Sequence, residues 1–113
     1  MLMAALGVSA GPPMTRLTIE VKTLEGKPID RAAVIVRFVE GKALKMVKKH
    51  ATFELRTDQD GVAKIPEIPQ GKIRVQVYAK NYQTFGDIFD VEQEEKTIEI
   101  KLNPPQAQFS AHQ

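Results

Sequence analysis

The 113-residue sequence has no cysteine, no tryptophan, two serines and two histidines, and each shortage removes a class of chemistry. Without cysteine there are no disulfides, no thiolate metal ligands and no Cys nucleophile, and the redox compartment is left undetermined. A serine triad needs Ser, His and a carboxylate held together by a rigid scaffold. The two serines, Ser9 and Ser110, lie near the chain ends in segments that read as unstructured. Structural or catalytic zinc takes three or more His, Cys or carboxylate ligands. His50 and His112, one in a loop edge and one in the tail, do not supply such a set. No Gly-rich phosphate loop or dinucleotide fingerprint is present. With 16 basic and 14 acidic side chains, the net charge of +2 does not favour nucleic-acid binding. No apolar run is long enough to span a bilayer as a helix.

What remains is enough for one domain with a single core. Residues 1–10, MLMAALGVSA, are apolar and end in the small-residue spacing Val8-Ser9-Ala10. No Lys or Arg precedes Arg16, so the segment reads as a truncated signal peptide, with a cytoplasmic leader as the other reading. The first reading predicts a periplasmic or secreted protein. Residues 1–14 are assigned to this leader, residues 15–104 to the folded domain and residues 105–113 to a flexible tail.

The domain is written in alternating patterns. Leu17, Ile19 and Val21 alternate with polar residues, as a half-buried strand does. Gly26 and Pro28 mark a turn, and Ala32, Val34, Val36 and Phe38 resume the alternation with a second, rather apolar face, which predicts a central strand. The stretch 41–50, GKALKMVKKH, mixes both parities and predicts an interruption. Phe53 and Leu55 then point inward from a strand over 51–56.

The most organised stretch is 57–82, TDQDGVAKIPEIPQGKIRVQVYAKNY. Asp58-Gln59-Asp60-Gly61 is turn chemistry, because Asp caps nearby backbone and Gly supplies positive φ. An EF-hand loop would need more oxygen ligands after the glycine, where Val62, Ala63 and Ile65 stand instead. Ala63 and Ile65 share a face, and Pro66 is expected to end ladder pairing, so that the strand is short or at an edge. Pro69-Gln70-Gly71 turns the chain into Ile73, Val75, Val77 and Ala79, the cleanest alternation present. Further on, Phe85, Phe89 and Val91 are expected to reach the core around a turn at Gly86-Asp87. Ile98, Ile100 and Leu102 close the sheet. Short strands separated by Gly, Pro and Asp turns, with no long helical pattern, predict an all-β sandwich.

The pattern T-D-x-x-G-V-A-x-I-P-x-I-P-x-G-x-I-x-V-x-V-x-A-x-x-Y over 57–82, with Gly26-Lys27-Pro28-Ile29 and Ala32-x-Val34-x-Val36 upstream, closely resembles the carboxypeptidase regulatory-like domain. That resemblance, which fades near Leu102, implies a transthyretin-like Greek-key β-sandwich of about seven strands. It implies a non-catalytic accessory or binding domain, common in secreted and cell-envelope proteins, with no agreed site residues or cofactor to carry over. The transthyretin fold also hosts hydroxyisourate hydrolases, but the first strand here has no His and the chain ends in Ser110-Ala111-His112-Gln113. Related surface domains join Lys to Asn in an isopeptide bond beside an acid. Lys22, Asn103 and Glu54 are the residue types required, yet parity turns Lys22 and Glu54 outward.

Two surface features stand out. Lys42, Lys45, Lys48 and Lys49, with Leu44, Met46 and Val47, form a basic, partly apolar loop, and Asp87, Asp90, Glu92, Glu94 and Glu95 form an acidic counterpart. Solvation alone accounts for both, and the sharper reading is that the lysine loop docks an anionic partner. Tyr78 faces outward by parity, and Tyr82 follows as a corner residue. Sugar-binding sandwiches use such exposed aromatics, which keeps a carbohydrate-binding reading beside that of a protein-interaction or structural accessory module. The partner is expected to be a protein or glycan of the cell envelope. Unpaired sheet edges leave room for a homodimer.

Overall fold

A computed structural model describes residues 13–40 and 52–105, and every structural statement below concerns those residues. Seven strands run β1 (Met14–Thr23), β2 (Ala33–Glu40), β3 (Thr52–Arg56), β4 (Val62–Pro69), β5 (Gly71–Tyr78), β6 (Phe85–Val91) and β7 (Glu95–Leu102). They form two sheets ordered β4-β1-β7 and β3-β2-β5-β6, the all-β sandwich that the patterning predicts and the seven strands that the resemblance implies.

Parity builds the core. Leu17, Ile19 and Val21 from β1, Val34, Val36 and Phe38 from β2, and Ile73, Val75 and Val77 from β5 are buried between the sheets with Ile98, Ile100 and Leu102 from β7. Their alternation matches the two-residue period of a strand, so one register satisfies every apolar side chain. Fully burying each Val, Ile or Leu contributes about 1.5–3 kcal/mol.

β1 begins at Met14, where Met14 and Thr15 pair with Pro69 and Ile68. Two local expectations are corrected. Pro66 does not end its strand: Leu17 pairs with Ile65 and Thr15 with Ile68, so Pro66 and Glu67 together oppose Arg16 in a bulge. β4 is an edge strand, where a missing donor is tolerated, and the extra residue changes parity so that Ile68 rather than Glu67 turns inward. Gly86-Asp87 is no turn, since both residues lie inside β6, opposite Gln76 and Val75.

The turn before β4 follows the sequence reading. The Asp58 carboxylate accepts the N–H groups of Asp60 (2.9 Å) and Val62 (3.0 Å), and Gly61 has φ of 74°. Gly61 also lies close to β1, its carbonyl accepting the Val21 N–H at 2.8 Å.

Candidate functional site

The end of the sandwich where β5 runs out carries a shallow concavity. Tyr78 closes β5 on its outward parity and is 42% exposed. The chain then turns through Lys80 and Asn81, the latter at φ 71°, and the Tyr82 N–H donates to the Ala79 carbonyl at 3.1 Å. This turn lays Tyr82 half-buried against the core, as its reading as a corner residue predicts. Both tyrosines line one shallow cleft of about 600 Å³ with Ile29, Asp30, Arg31, Arg56 and Lys80.

Its opposite wall is held by Thr57, whose role the sequence reading missed. The buried Thr57 hydroxyl donates to the Ile29 carbonyl (2.7 Å) and accepts the Ala32 N–H (2.8 Å). Thr57 backbone groups also exchange bonds with Arg31 and Ala32. Seven hydroxyl and main-chain groups are thereby satisfied at one point, and Arg31 is fixed at φ 64°. The Arg31 carbonyl in turn accepts from the Arg56 guanidinium at 3.1 Å, which aims Arg56 along the cleft.

The outer face of the four-stranded sheet continues from this cleft. Ala33 pairs with both Arg56 and Tyr78, so those two side chains flank it in one cross-strand row. Four residues away along β2, Arg37 lies directly opposite Arg74. Like charges so placed repel across the ladder, and neither has a carboxylate partner among the described residues. The next row is neutralised by Lys72 with Asp90 at 3.2 Å. This arginine stripe is a second feature the sequence reading missed. Outward parity was visible for each arginine, but their juxtaposition needs the β2–β5 register.

The opposite outer face carries three ion-pair contacts among the described residues. Arg16 bonds to Glu95, and the Lys22 ammonium lies 2.8 Å from Glu99 and 3.5 Å from Glu20. Hydrogen bonding and charge from Glu99 raise the Lys22 pKa, and the same contact lowers that of Glu99. Lys22 and Glu54 lie on the outer faces of different sheets, and the Asn103 carbonyl accepts the Gln83 N–H, so the isopeptide residue types are not brought together. Lys42, Lys45, Met46, Lys48 and Lys49 lie outside the described residues, as do both histidines. Of the acidic group, Glu92 and Glu94 occupy the β6–β7 link, whereas Asp87 and Asp90 are within β6.

No family model matches the chain, and no curated protein matches it. Solved structures do share its fold. A 3-chlorocatechol 1,2-dioxygenase from Rhodococcus opacus 1CP superposes with a TM-score of 0.68 at 9% identity, over 84% of this chain and 62% of that one. The Bacillus anthracis TIE protein gives 0.62 at 15% identity, over 81% of this chain and 17% of that one. GBS52, the minor pilin of Streptococcus agalactiae, gives 0.56 at 18% identity, over 78% and 50%. The chain spans less than two thirds of each of these proteins. At such identities the likeness is one of fold, a β-sandwich compatible with the transthyretin-like class.

Proposed function

We propose that this chain is a non-catalytic interaction module of the carboxypeptidase regulatory-like kind, working in the cell envelope or outside the cell. The observation that carries the reading is the convergence of Tyr78, Tyr82, Arg31, Arg56 and Lys80, with Asp30, on one cleft beside an arginine stripe that has no carboxylate partner among the described residues. A cationic, aromatic-edged surface favours an anionic partner by long-range steering and by charge-assisted hydrogen bonds. The minor pilin among the structures of like fold supports an envelope location. Carbohydrate binding is the second reading, favoured by the exposed ring of Tyr78 beside the Arg56 fork.

Affinity capture with the full chain from a native cell-envelope extract, with proteins and glycans identified separately at low and high salt, tests both. A protein that elutes with salt and is lost on Arg56→Glu supports the interaction module. Glycan retained at high salt and lost on Tyr78→Ala supports carbohydrate binding instead. Retention unaffected by either substitution removes the cleft from consideration.

A further inference from the structure

β6 contains a glycine that the fold does not require. Gly86 lies inside the strand opposite Gln76, on the outer parity of the four-stranded sheet. It does not have a positive φ, and a Cβ built on it would meet only the Gln76 Cγ, at an ordinary 3.8 Å. Glycine inside a strand weakens it through backbone entropy and leaves nothing to pack. No close approach within the fold offsets that loss at Gly86. A strand glycine of this kind marks a place where another group comes close to the backbone.

The missing side chain leaves a notch in the outer face. Tyr78 bounds it at one end and Ile88 at the other, each 42% exposed. Ile88 faces Arg74, so the rows of Tyr78 and Ile88 are four residues apart along β5, or ~13 Å. Between them stands Gln76, half-buried, its side-chain amide without a hydrogen-bond partner among the described residues. Because Arg74 in turn faces Arg37, the notch opens onto the guanidinium pair. The chain has little with which to neutralise that pair. Residues 1–12, 41–51 and 106–113 hold no Asp or Glu, and Glu40 stands opposite Lys72. None of the described carboxylates lies within 4.0 Å of Arg37 or Arg74. Glu54 shares this face but sits on the β3 margin, opposite Ile35.

We propose that the Gly86 notch and the Arg37–Arg74 pair form one site for an acidic saccharide, a sugar chain bearing carboxylates. One sugar ring lies over Gly86, and a carboxylate sits between the two guanidinium forks, whose planar donors match it. The Gln76 amide decides between occupants. An apolar side chain set into the notch would cover that amide and leave it unpaired, which is costly. An extended peptide laid across the face would find no free backbone groups beneath it, because the β2–β5 and β5–β6 ladders use them. Sugar hydroxyls pair with the Gln76 amide, and the C–H face of a ring packs on the amphipathic ring of Tyr78. Glu54 repels the same ligand from the β3 side. The inference rests on the carbohydrate reading given above, narrows its ligand to acidic sugars and moves its centre from Arg56 to Gly86 and Arg74.

The test is an NMR titration of the full chain with hexasaccharides of galacturonic acid and of mannuronic acid. At least one should shift the Gly86 amide, the Gln76 side-chain amide and the Nε–H signals of Arg37 and Arg74. Its methyl ester, with the same rings and no charge, should bind about tenfold more weakly, and Arg74→Gln should cost about as much. Gly86→Val fills the notch with a residue that strands favour, so it should abolish binding while the melting temperature holds or rises. Four results overturn the proposal: no shift at Gly86 with either hexasaccharide at millimolar concentration, equal affinity for acid and ester, unchanged binding by Gly86→Val, or a hexaglutamate peptide bound as tightly as the sugar. The last assigns the arginine pair to an acidic protein segment. Failure here is distinct from failure of the broader reading. A captured protein that is lost on Arg56→Glu, with no saccharide moving Gly86, keeps the interaction module and removes this site. Saccharide binding at Gly86 that is indifferent to Arg56→Glu keeps this site and removes the cleft.

Discussion

Replacing Gly61 with alanine separates two costs that usually arrive together. The residue sits at φ 74°, where a Cβ costs about 1–2 kcal/mol in backbone strain alone. A Cβ there would also lie 2.5 Å from the Val21 carbonyl oxygen, with Ile29 N and Pro28 Cβ at 3.1 Å. Those atoms are backbone or ring and cannot swing aside, so the turn must move away from β1. Two bonds are at stake, Val21 N–H to the Gly61 carbonyl (2.8 Å) and Ile29 N–H to the Val21 carbonyl (3.0 Å). At about 0.5–1.5 kcal/mol each, their weakening brings the expected loss to about 2–5 kcal/mol. Gly26 is the internal control: φ is 90° there, yet an added Cβ meets nothing within 4 Å. Gly26→Ala should therefore cost only the strain. Urea denaturation of both variants, followed by circular dichroism, should show a lower midpoint for Gly61→Ala at an unchanged slope. In thermal melts each kcal/mol corresponds to about 4–8 °C for a domain of this size. Equal destabilisation of the two variants would refute the close-approach argument.

Other expectations follow from the same geometry. Thr57→Val removes one acceptor and one donor from buried backbone and should cost about 2–5 kcal/mol, whereas Thr57→Ser should stay within about 1 kcal/mol of the parent in the same melt. Arg74→Glu replaces a facing like-charge pair with an opposite one and should stabilise the fold by about 0.2–1 kcal/mol, an effect that 1 M salt should erase. The Glu99 pKa is lowered on folding, so its pairing stabilises fully above the ordinary value of 4.5 and is lost as pH falls through the lowered value. The Lys22 pKa is raised above 10.5, so its share is complete below that pH and is lost as pH rises through the raised value. Glu99→Gln should flatten both limbs of the stability–pH curve; unchanged limbs would mean that the exposed contact is not populated in solution.

Much of the fold was legible because a strand's side-chain period is short and local. The inward set Leu17, Ile19, Val21 and the run Ile73, Val75, Val77 needed only alternation, and the Asp58–Gly61 turn needed only the known habits of Asp and Gly. Errors fell where a non-local partner overrode a local rule. Pro66 reads as a strand end, yet pairing with β1 carries the strand past it through a bulge in β4. Gly86-Asp87 reads as a turn, yet β5 holds it extended. The candidate site was legible only in part: Tyr78 and Tyr82 were visible, but neither Thr57 as the pin of the cleft nor Arg37 facing Arg74 could be read from residues so far apart in sequence.

The sequence by itself determined which residues are inward, which are outward and that the chain must close as a two-sheet sandwich, because burial of alternating apolar side chains admits one parity per strand. Tertiary structure alone decided which strands neighbour one another. That choice sets two guanidiniums face to face and gathers two tyrosines and two arginines at one end. Pairing and register are long-range properties of the folded chain, and the features that bear on function here are made of pairings.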